Sequence, residues 1–169
     1  MNRILFLVGF MGSGKTSLGK KIAQRFNMNF IDLDALIEQR EGKTINEIFE
    51  EKGENYFREL EAKILREEDF SNAVVATGGG TACYNDNINF MKSVGAVAYL
   101  LVPLEILIGR LRQNKDERPL LKNLEQAELD QFVITKYNER KVFYEQADFI
   151  ILHNKPLTAM YRDLSFLLD

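Results

Sequence analysis

Gly9-Phe10-Met11-Gly12-Ser13-Gly14-Lys15-Thr16 follows directly on the apolar run Ile4-Leu5-Phe6-Leu7-Val8. The octapeptide has the spacing G-x-x-x-x-G-K-[ST], and its surroundings give that spacing a physical meaning. A short, wholly apolar run reads as a buried strand ending at Val8. A helix is predicted to open near Lys15 and to continue through Ser17-Leu18-Gly19-Lys20-Lys21-Ile22-Ala23. Between them, glycines 9, 12 and 14 let the backbone curl so that successive N–H groups point at one anion. The helix start adds unpaired N–H groups and partial positive charge. In a P-loop of this kind the lysine, here Lys15, reaches the β- and γ-phosphates, and the closing hydroxyl, here Thr16, can ligate Mg²⁺. The alternative is a glycine turn followed by a chance Lys-Thr, and the full match between strand and helix argues against it. The stretch is expected to bind a nucleoside triphosphate.

The rest of the composition narrows the chemistry. A chain of 169 residues, 46% hydrophobic and 28% charged, suits a single globular domain over 1–169 with a full core. A net charge of −3 leaves no basic footprint for nucleic acid. Cys83 is the single cysteine, which excludes an internal disulfide and a Cys-rich metal site and points to a reducing, cytoplasmic home. Strand one begins too early to leave room for a signal peptide, and no apolar run approaches a membrane span. His153 is the single histidine, so acid–base work falls to carboxylates, lysine or tyrosine.

Strand-like runs recur at Ile4–Val8, Asn29–Ile31, Ala73–Ala76, Ala96–Val102 and Phe149–Leu152, separated by helical patterns. This βαβ alternation predicts an α/β fold with a parallel sheet covered by helices on both faces. Ligands in such sheets bind beyond the carboxyl ends of the strands. The unusual residues of this chain fall there. Asp32 and Asp34 follow the second strand two residues apart, so on extended backbone both face one way. One is placed to hold Mg²⁺ through water and the other to accept a hydroxyl proton. The competing reading is a helix N-cap, with Asp34 before the helical run, and only one of the two could serve it. Gly78-Gly79-Gly80 follows the third strand, and so many glycines favour close approach of a ligand to bare backbone over a simple turn.

Thr44-Ile45-Asn46-Glu47 reads as a capping box, Gly53 breaks the helix it starts, and Phe57, Leu60 and Ile64 mark a second apolar stripe. Arg58 lies one residue off that stripe. From spacing alone an i,i+4 pair with Glu54, worth about 0.2–0.5 kcal/mol, is its better explanation. The polar, broken stretch from Asn114 to Gln126 suggests a lid over about 112–124. Its Asn114-Lys115-Asp116-Glu117 resembles a guanine-reading N-K-x-D but ends in Glu and does not close a strand, so it is discounted. In the next helix Leu129, Val133, Tyr137, Arg140 and Tyr144 share a stripe, which turns Arg140 inward and requires an anionic partner from protein or ligand. Met11, Phe49 and Phe57 read as core.

With these pieces assembled the chain resembles the shikimate kinase family. The resemblance rests on Gly9–Thr16, Asp32-x-Asp34 with Ile37-Glu38, Gly42-Lys43-Thr44-Ile45 through Gly53-Glu54, Phe57-Arg58-x-x-Glu61, Gly78-Gly79-Gly80, Arg118-Pro119-Leu120-Leu121, and Arg140 with Tyr144-x-x-Ala147-Asp148. These span almost the whole chain in the family's order. The resemblance implies a three-layer P-loop kinase fold, with a five-stranded parallel sheet ordered 2-3-1-4-5 and a shikimate-binding helical segment at about 33–61. It implies transfer of the ATP γ-phosphoryl group to the 3-hydroxyl of shikimate, in aromatic amino acid biosynthesis. Apart from the resemblance, a monomer with no nucleic-acid or membrane partner is expected. By the resemblance, nucleotide contacts are expected from Gly12, Ser13, Gly14, Lys15, Thr16, Ser17, Arg110 (near the adenine) and Arg118, and Mg²⁺ contacts from Thr16 and Asp32. Asp34, Arg58, Gly79, Gly80 and Arg140 are expected on shikimate, and Lys15, Asp34 and Arg118 in the chemical step. One departure stands out. The family usually reads Arg-x-Pro-Leu-Tyr where this chain has Arg140-Lys141-Val142-Phe143-Tyr144, and the missing proline is expected to loosen a helix start at Arg140. A gluconate-type kinase would share the P-loop and lid without needing two inward arginines and a triple glycine. A nucleotide-dependent switch would share only the P-loop.

Overall fold

The computed structural model describes residues 3–114, 120–121 and 123–168. Five strands form its sheet: β1 (Ile4–Val8), β2 (Asn29–Asp32), β3 (Ala73–Ala76), β4 (Ala96–Leu101) and β5 (Phe149–Leu152). All are parallel, in the order β2-β3-β1-β4-β5. Burial follows that order. Every residue of β1, at the centre, is buried, which requires both faces of the sheet to be covered. The edge strands β2 and β5 are half open.

Seven α-helices connect and flank the strands among the described residues: α1 (Lys15–Phe26), α2 (Leu33–Glu41), α3 (Ile45–Glu67), α4 (Asn87–Val94), α5 (Leu104–Gln113), α6 (Gln126–Tyr144) and α7 (Leu157–Leu168). Their ends follow local chemistry. Thr44 and Glu47 form the expected capping box at the start of α3. Asn27 closes α1 in the left-handed region, and its N–H reaches back to the Ala23 carbonyl. Gly53, at φ 80° and ψ 173°, kinks α3 into two helical halves, as the break in its apolar pattern suggested.

Two expectations are corrected here. The second strand ends at Asp32 and α2 begins at Leu33, so the two-residue alternation proposed for Asp32 and Asp34 does not apply. The N-cap of α2 is Asp32, whose carboxylate accepts from the Ala35 N–H, and Asp34 lies in the first helical turn. Arg140 is not near a helix start either. The helix begins at Gln126 and runs unbroken past it to Tyr144, so the absence of proline at Val142 loosens nothing; a proline there would lie in the helix interior.

Parallel register brings the loops together at one end of the sheet. Leu7 pairs with Ala76, Val8 with Tyr99, and Asp32 with Ala76, so the loops leaving β1, β2 and β3 emerge side by side. Helix α1 packs tightly enough on this sheet to demand glycine. A Cβ at Gly19 would lie 2.6 Å from the Phe30 ring and 3.2 Å from Leu7. A Cβ at Gly109, on the exposed face of α5, would meet nothing within 4 Å. The same substitution should therefore have opposite signs at the two sites. Gly109→Ala should stabilise by about 0.5–1 kcal/mol through helix propensity. At Gly19 overpacking, about 1–3 kcal/mol, should outweigh that gain. Urea midpoints of both variants against the parent check it.

Candidate active site

The P-loop is closed by its own polar groups. Lys15 is buried, and its ammonium donates to the carbonyls of Gly9 (2.8 Å) and Phe10 (3.0 Å) and to the Ser13 hydroxyl (3.3 Å). A desolvated ammonium needs such acceptors. To meet a phosphate it must exchange part of this set. Arg110, from α5, donates to the carbonyls of Gly12 (2.9 Å) and Ser13 (3.2 Å) and so braces the loop from outside. It also lines a cavity with Ser17, Lys21, Leu100, His153, Lys155 and Leu157. His153 and Lys155 were not foreseen as site residues. They follow the end of β5, where the carboxyl-end rule for open sheets would have placed a ligand.

A second cavity opens over Gly12, Gly14, Lys15, Thr16 and Ser17 on one side and Asp32, Asp34 and Thr77 on the other. Thr16 donates from its hydroxyl to Asp32 Oδ2 at 2.8 Å, while Asp32 Oδ1 caps α2. Among the described residues no cluster of three or more carboxylate, histidine or cysteine side chains could hold a metal unaided. One hydroxyl and one carboxylate in contact beside a phosphate-binding loop instead fit Mg²⁺, which keeps several waters and shares its coordination with substrate phosphates.

The third cavity lies next to this one and has a different lining. Met11, Ile45, Phe49, Phe57 and Leu120 form apolar walls, and Arg58, Glu61, Arg140 and the Gly78-Gly79-Gly80 loop supply polar groups. Apolar walls with a few convergent polar groups suit one small metabolite. Phe49 and Phe57, expected in the core, pack on each other at 4.8 Å between ring centroids and also wall this cavity. Position in sequence does not separate an apolar wall from an apolar core.

The two arginines differ in a way that matters. Arg58, 7% exposed, is paired twice: with Glu54 at 3.0 Å, as the i,i+4 reading held, and with Glu61 at 3.1 Å. The Tyr84 ring covers its guanidinium at 4.6 Å, and a Cβ at Gly80 would lie 2.5 Å from it. The bare backbone of Gly80 is what lets the guanidinium lie there. Glu61 is fully buried; burial raises its carboxyl above the usual range, opposed by Arg58 and by the hydrogen bond from Thr81. The sign follows: Glu61 favours the fold below the ordinary glutamate pKa, and that contribution is lost as pH rises through its own raised value. Arg140, 3% exposed, stands over the Phe10 ring at 5.8 Å. Its Nε and Nη2 have no hydrogen-bond partner among the described residues. Buried guanidinium nitrogens without partners among the described residues, at a cavity wall, are suited to meet an anion.

The structure therefore brings together Gly12, Gly14, Lys15, Thr16, Ser17, Asp32 and Asp34 at one cavity and Asp34, Arg58, Gly79, Gly80 and Arg140 at its neighbour, and places Ser13 and Arg110 together on the cavity behind the P-loop. Residues 115–119, Arg118 among them, and 122 of the stretch read as a lid lie outside the described residues. Leu120 and Leu121, between these, are half-buried and buried.

Comparison with known proteins agrees with this arrangement. The shikimate kinase family model matches residues 11–164. A shikimate kinase of Bacteroides thetaiotaomicron is 47% identical over 147 residues, covering 86% of this chain and 84% of the relative. A crystal structure of shikimate kinase from Bacteroides thetaiotaomicron superposes with a TM-score of 0.87 at 42% identity, over 98% of both chains. The shikimate kinase from Acinetobacter baumannii in complex with shikimate has a TM-score of 0.87 at 34% identity, over 99% of this chain and 96% of that one. A family match over residues 11–164, with the P-loop, the Asp-x-Asp pair and the triple glycine each in place, shows that the chain belongs to the shikimate kinase family.

Proposed function

We propose that this chain transfers the γ-phosphoryl group of ATP to the 3-hydroxyl of shikimate, giving ADP and shikimate 3-phosphate, in aromatic amino acid biosynthesis. The observation that carries the reading is a shared wall. Met11, Asp34, Gly78 and Gly79 line both the cavity over the P-loop and the cavity holding the two arginines. A nucleotide in the first and an acceptor in the second meet at those residues and nowhere else among the described ones.

In this reading Gly12, Ser13, Gly14, Lys15, Thr16 and Ser17 hold the triphosphate, and Arg110, with His153 and Lys155, borders the adenosine. Thr16 and Asp32 hold Mg²⁺, which when bound neutralises charge on the phosphate oxygens. Arg58 and Arg140 take the shikimate carboxylate, and Gly79 and Gly80 receive its ring against bare backbone. Asp34 accepts the proton of the 3-hydroxyl as that oxygen bonds to the γ-phosphorus, and the bond from phosphorus to the bridging oxygen of ADP breaks. Arg118 comes to the transferring group from a lid over about 112–124, above a shikimate-binding segment at about 33–61 of a single domain. A monomeric, cytoplasmic enzyme completes the proposal. Both cavities are built from one chain, and Cys83 is its lone thiol. No helix among the described residues is long and apolar enough to cross a membrane.

ADP release from ATP, measured with shikimate, gluconate, a nucleoside monophosphate or no acceptor, tests the proposal. Shikimate alone should drive it; equal release with gluconate or without acceptor would overturn it. Asp34→Asn should lower kcat about 10²- to 10⁴-fold while sparing ATP affinity, because amide keeps the shape but cannot take a proton. Loss of ATP affinity there, but not in Asp32→Asn, would mean that the two aspartates have been assigned the wrong way round.

The arginines should separate in what they cost. Arg140→Ala removes a guanidinium with no carboxylate partner among the described residues and should weaken shikimate binding about 30- to 4,000-fold, from roughly 2–5 kcal/mol. Arg58→Ala leaves Glu61 buried without its cation and should in addition cost about 3–5 kcal/mol of stability. Calorimetric titration and denaturant midpoints of both variants distinguish these outcomes.

A further inference from the structure

One buried group at this site has no part in the roles above. Tyr144 closes the last turn of α6, on the same face as Arg140, and is fully buried. Its hydroxyl donates to the carbonyl of Gly79. The Arg140 guanidinium and the Cys83 thiol both lie within its electrostatic and hydrogen-bonding reach. Gly79 is in turn seated on the P-loop: a Cβ there would lie 2.9 Å from the Met11 nitrogen. One phenolic oxygen thus joins the helix that carries Arg140 to the glycine loop, and through that loop to the loop that holds the phosphates.

A plainer account is that a buried tyrosine needs some partner for its hydroxyl, and any carbonyl would do. Tyr137 fits that account, since its hydroxyl faces the Tyr99 hydroxyl at 3.4 Å, behind the cavity. Tyr144 does not. Its ring already packs on Tyr99 at 5.2 Å between centroids, so the ring anchors the helix without help from the oxygen. The hydroxyl is spent on a cavity-lining carbonyl, next to the guanidinium whose Nε and Nη2 lack partners among the described residues. Burial pushes the phenol far above its ordinary pKa, so it stays a donor at every working pH.

We infer that Tyr144 is a positioning residue for the acceptor: it fixes the Gly79 carbonyl and the aim of Arg140, and so sets the span from carboxylate anchor to P-loop. The inference rests on the reading of Arg140 as the carboxylate receptor. Tyr144→Phe keeps the ring and removes only the oxygen. It should raise KM for shikimate about tenfold, leave ATP affinity measured without shikimate within about twofold, and lower the preference for shikimate over its methyl ester. Tyr137→Phe, which also loses a buried hydroxyl from α6, should leave KM and the acid-to-ester ratio unchanged.

A Tyr144→Phe enzyme with parental KM and ratio overturns the inference, whatever its melting temperature does. Equal losses in Tyr137→Phe overturn it too, by showing a general effect of buried hydroxyls. A parent enzyme that binds ester and acid alike removes the carboxylate receptor itself, and the positioning role with it. That result is distinct, because it is seen before any variant is made.

Discussion

At position 79 the loop leaving β3 rests directly on the backbone of the loop leaving β1, at a distance no Cβ would tolerate. The site depends on this contact. Parallel pairing of Leu7 with Ala76 delivers the two loops side by side, but strands about 4.8 Å apart would normally carry loops separated by side chains. Removing the side chain at Gly79 lets the wall between the two cavities shrink to one layer of backbone. A phosphoryl group and an acceptor hydroxyl can then meet across it without either substrate leaving its own walls. The same economy holds at Gly80, where the missing Cβ is replaced by the Arg58 guanidinium.

The charges around the acceptor cavity are arranged asymmetrically. Arg58 is held by Glu54, Glu61 and the Tyr84 ring, and its aim is fixed by the fold. Arg140 is buried beside Phe10 and Tyr144, with part of its hydrogen-bonding capacity unmet among the described residues. A fully paired cation contributes mainly shape and field, whereas an underpaired one carries a desolvation cost that an incoming carboxylate relieves. Affinity for an acid should therefore concentrate on the arginine that the fold satisfies least.

How much of this was legible in the sequence varies with the range of the interaction. The P-loop, the strand positions and the capping box at Thr44 depend on neighbours a few residues apart, and they are found where the spacing put them. The inward stripe of α6 was equally local: Leu129, Val133, Tyr137, Arg140 and Tyr144 are its buried residues. Arg58 was harder, because the pairing with Glu54 seen in the spacing is real but incomplete. Its burial depends on Gly80 and Tyr84, more than twenty residues further along the chain. Met11, Phe49 and Phe57 were unreadable as site residues, since an apolar wall and an apolar core use the same side chains. The aspartates were misjudged geometrically: their spacing assumed extended backbone at a point where strand passes into helix within one residue.

The carboxylate of Asp32 answers two demands at once, with one oxygen on the Ala35 N–H and the other on the Thr16 hydroxyl. This narrows what the position can hold. Asn or Ser would cap the helix but, in the Mg²⁺ role proposed for Asp32, would bring no charge to the cation. Glu would bring the charge, but its extra methylene carries the carboxylate beyond the reach of its own helix start. The intersection of the two sets is a single amino acid. A position that shows a single contact from either side is, in terms of permitted substitutions, closed from both.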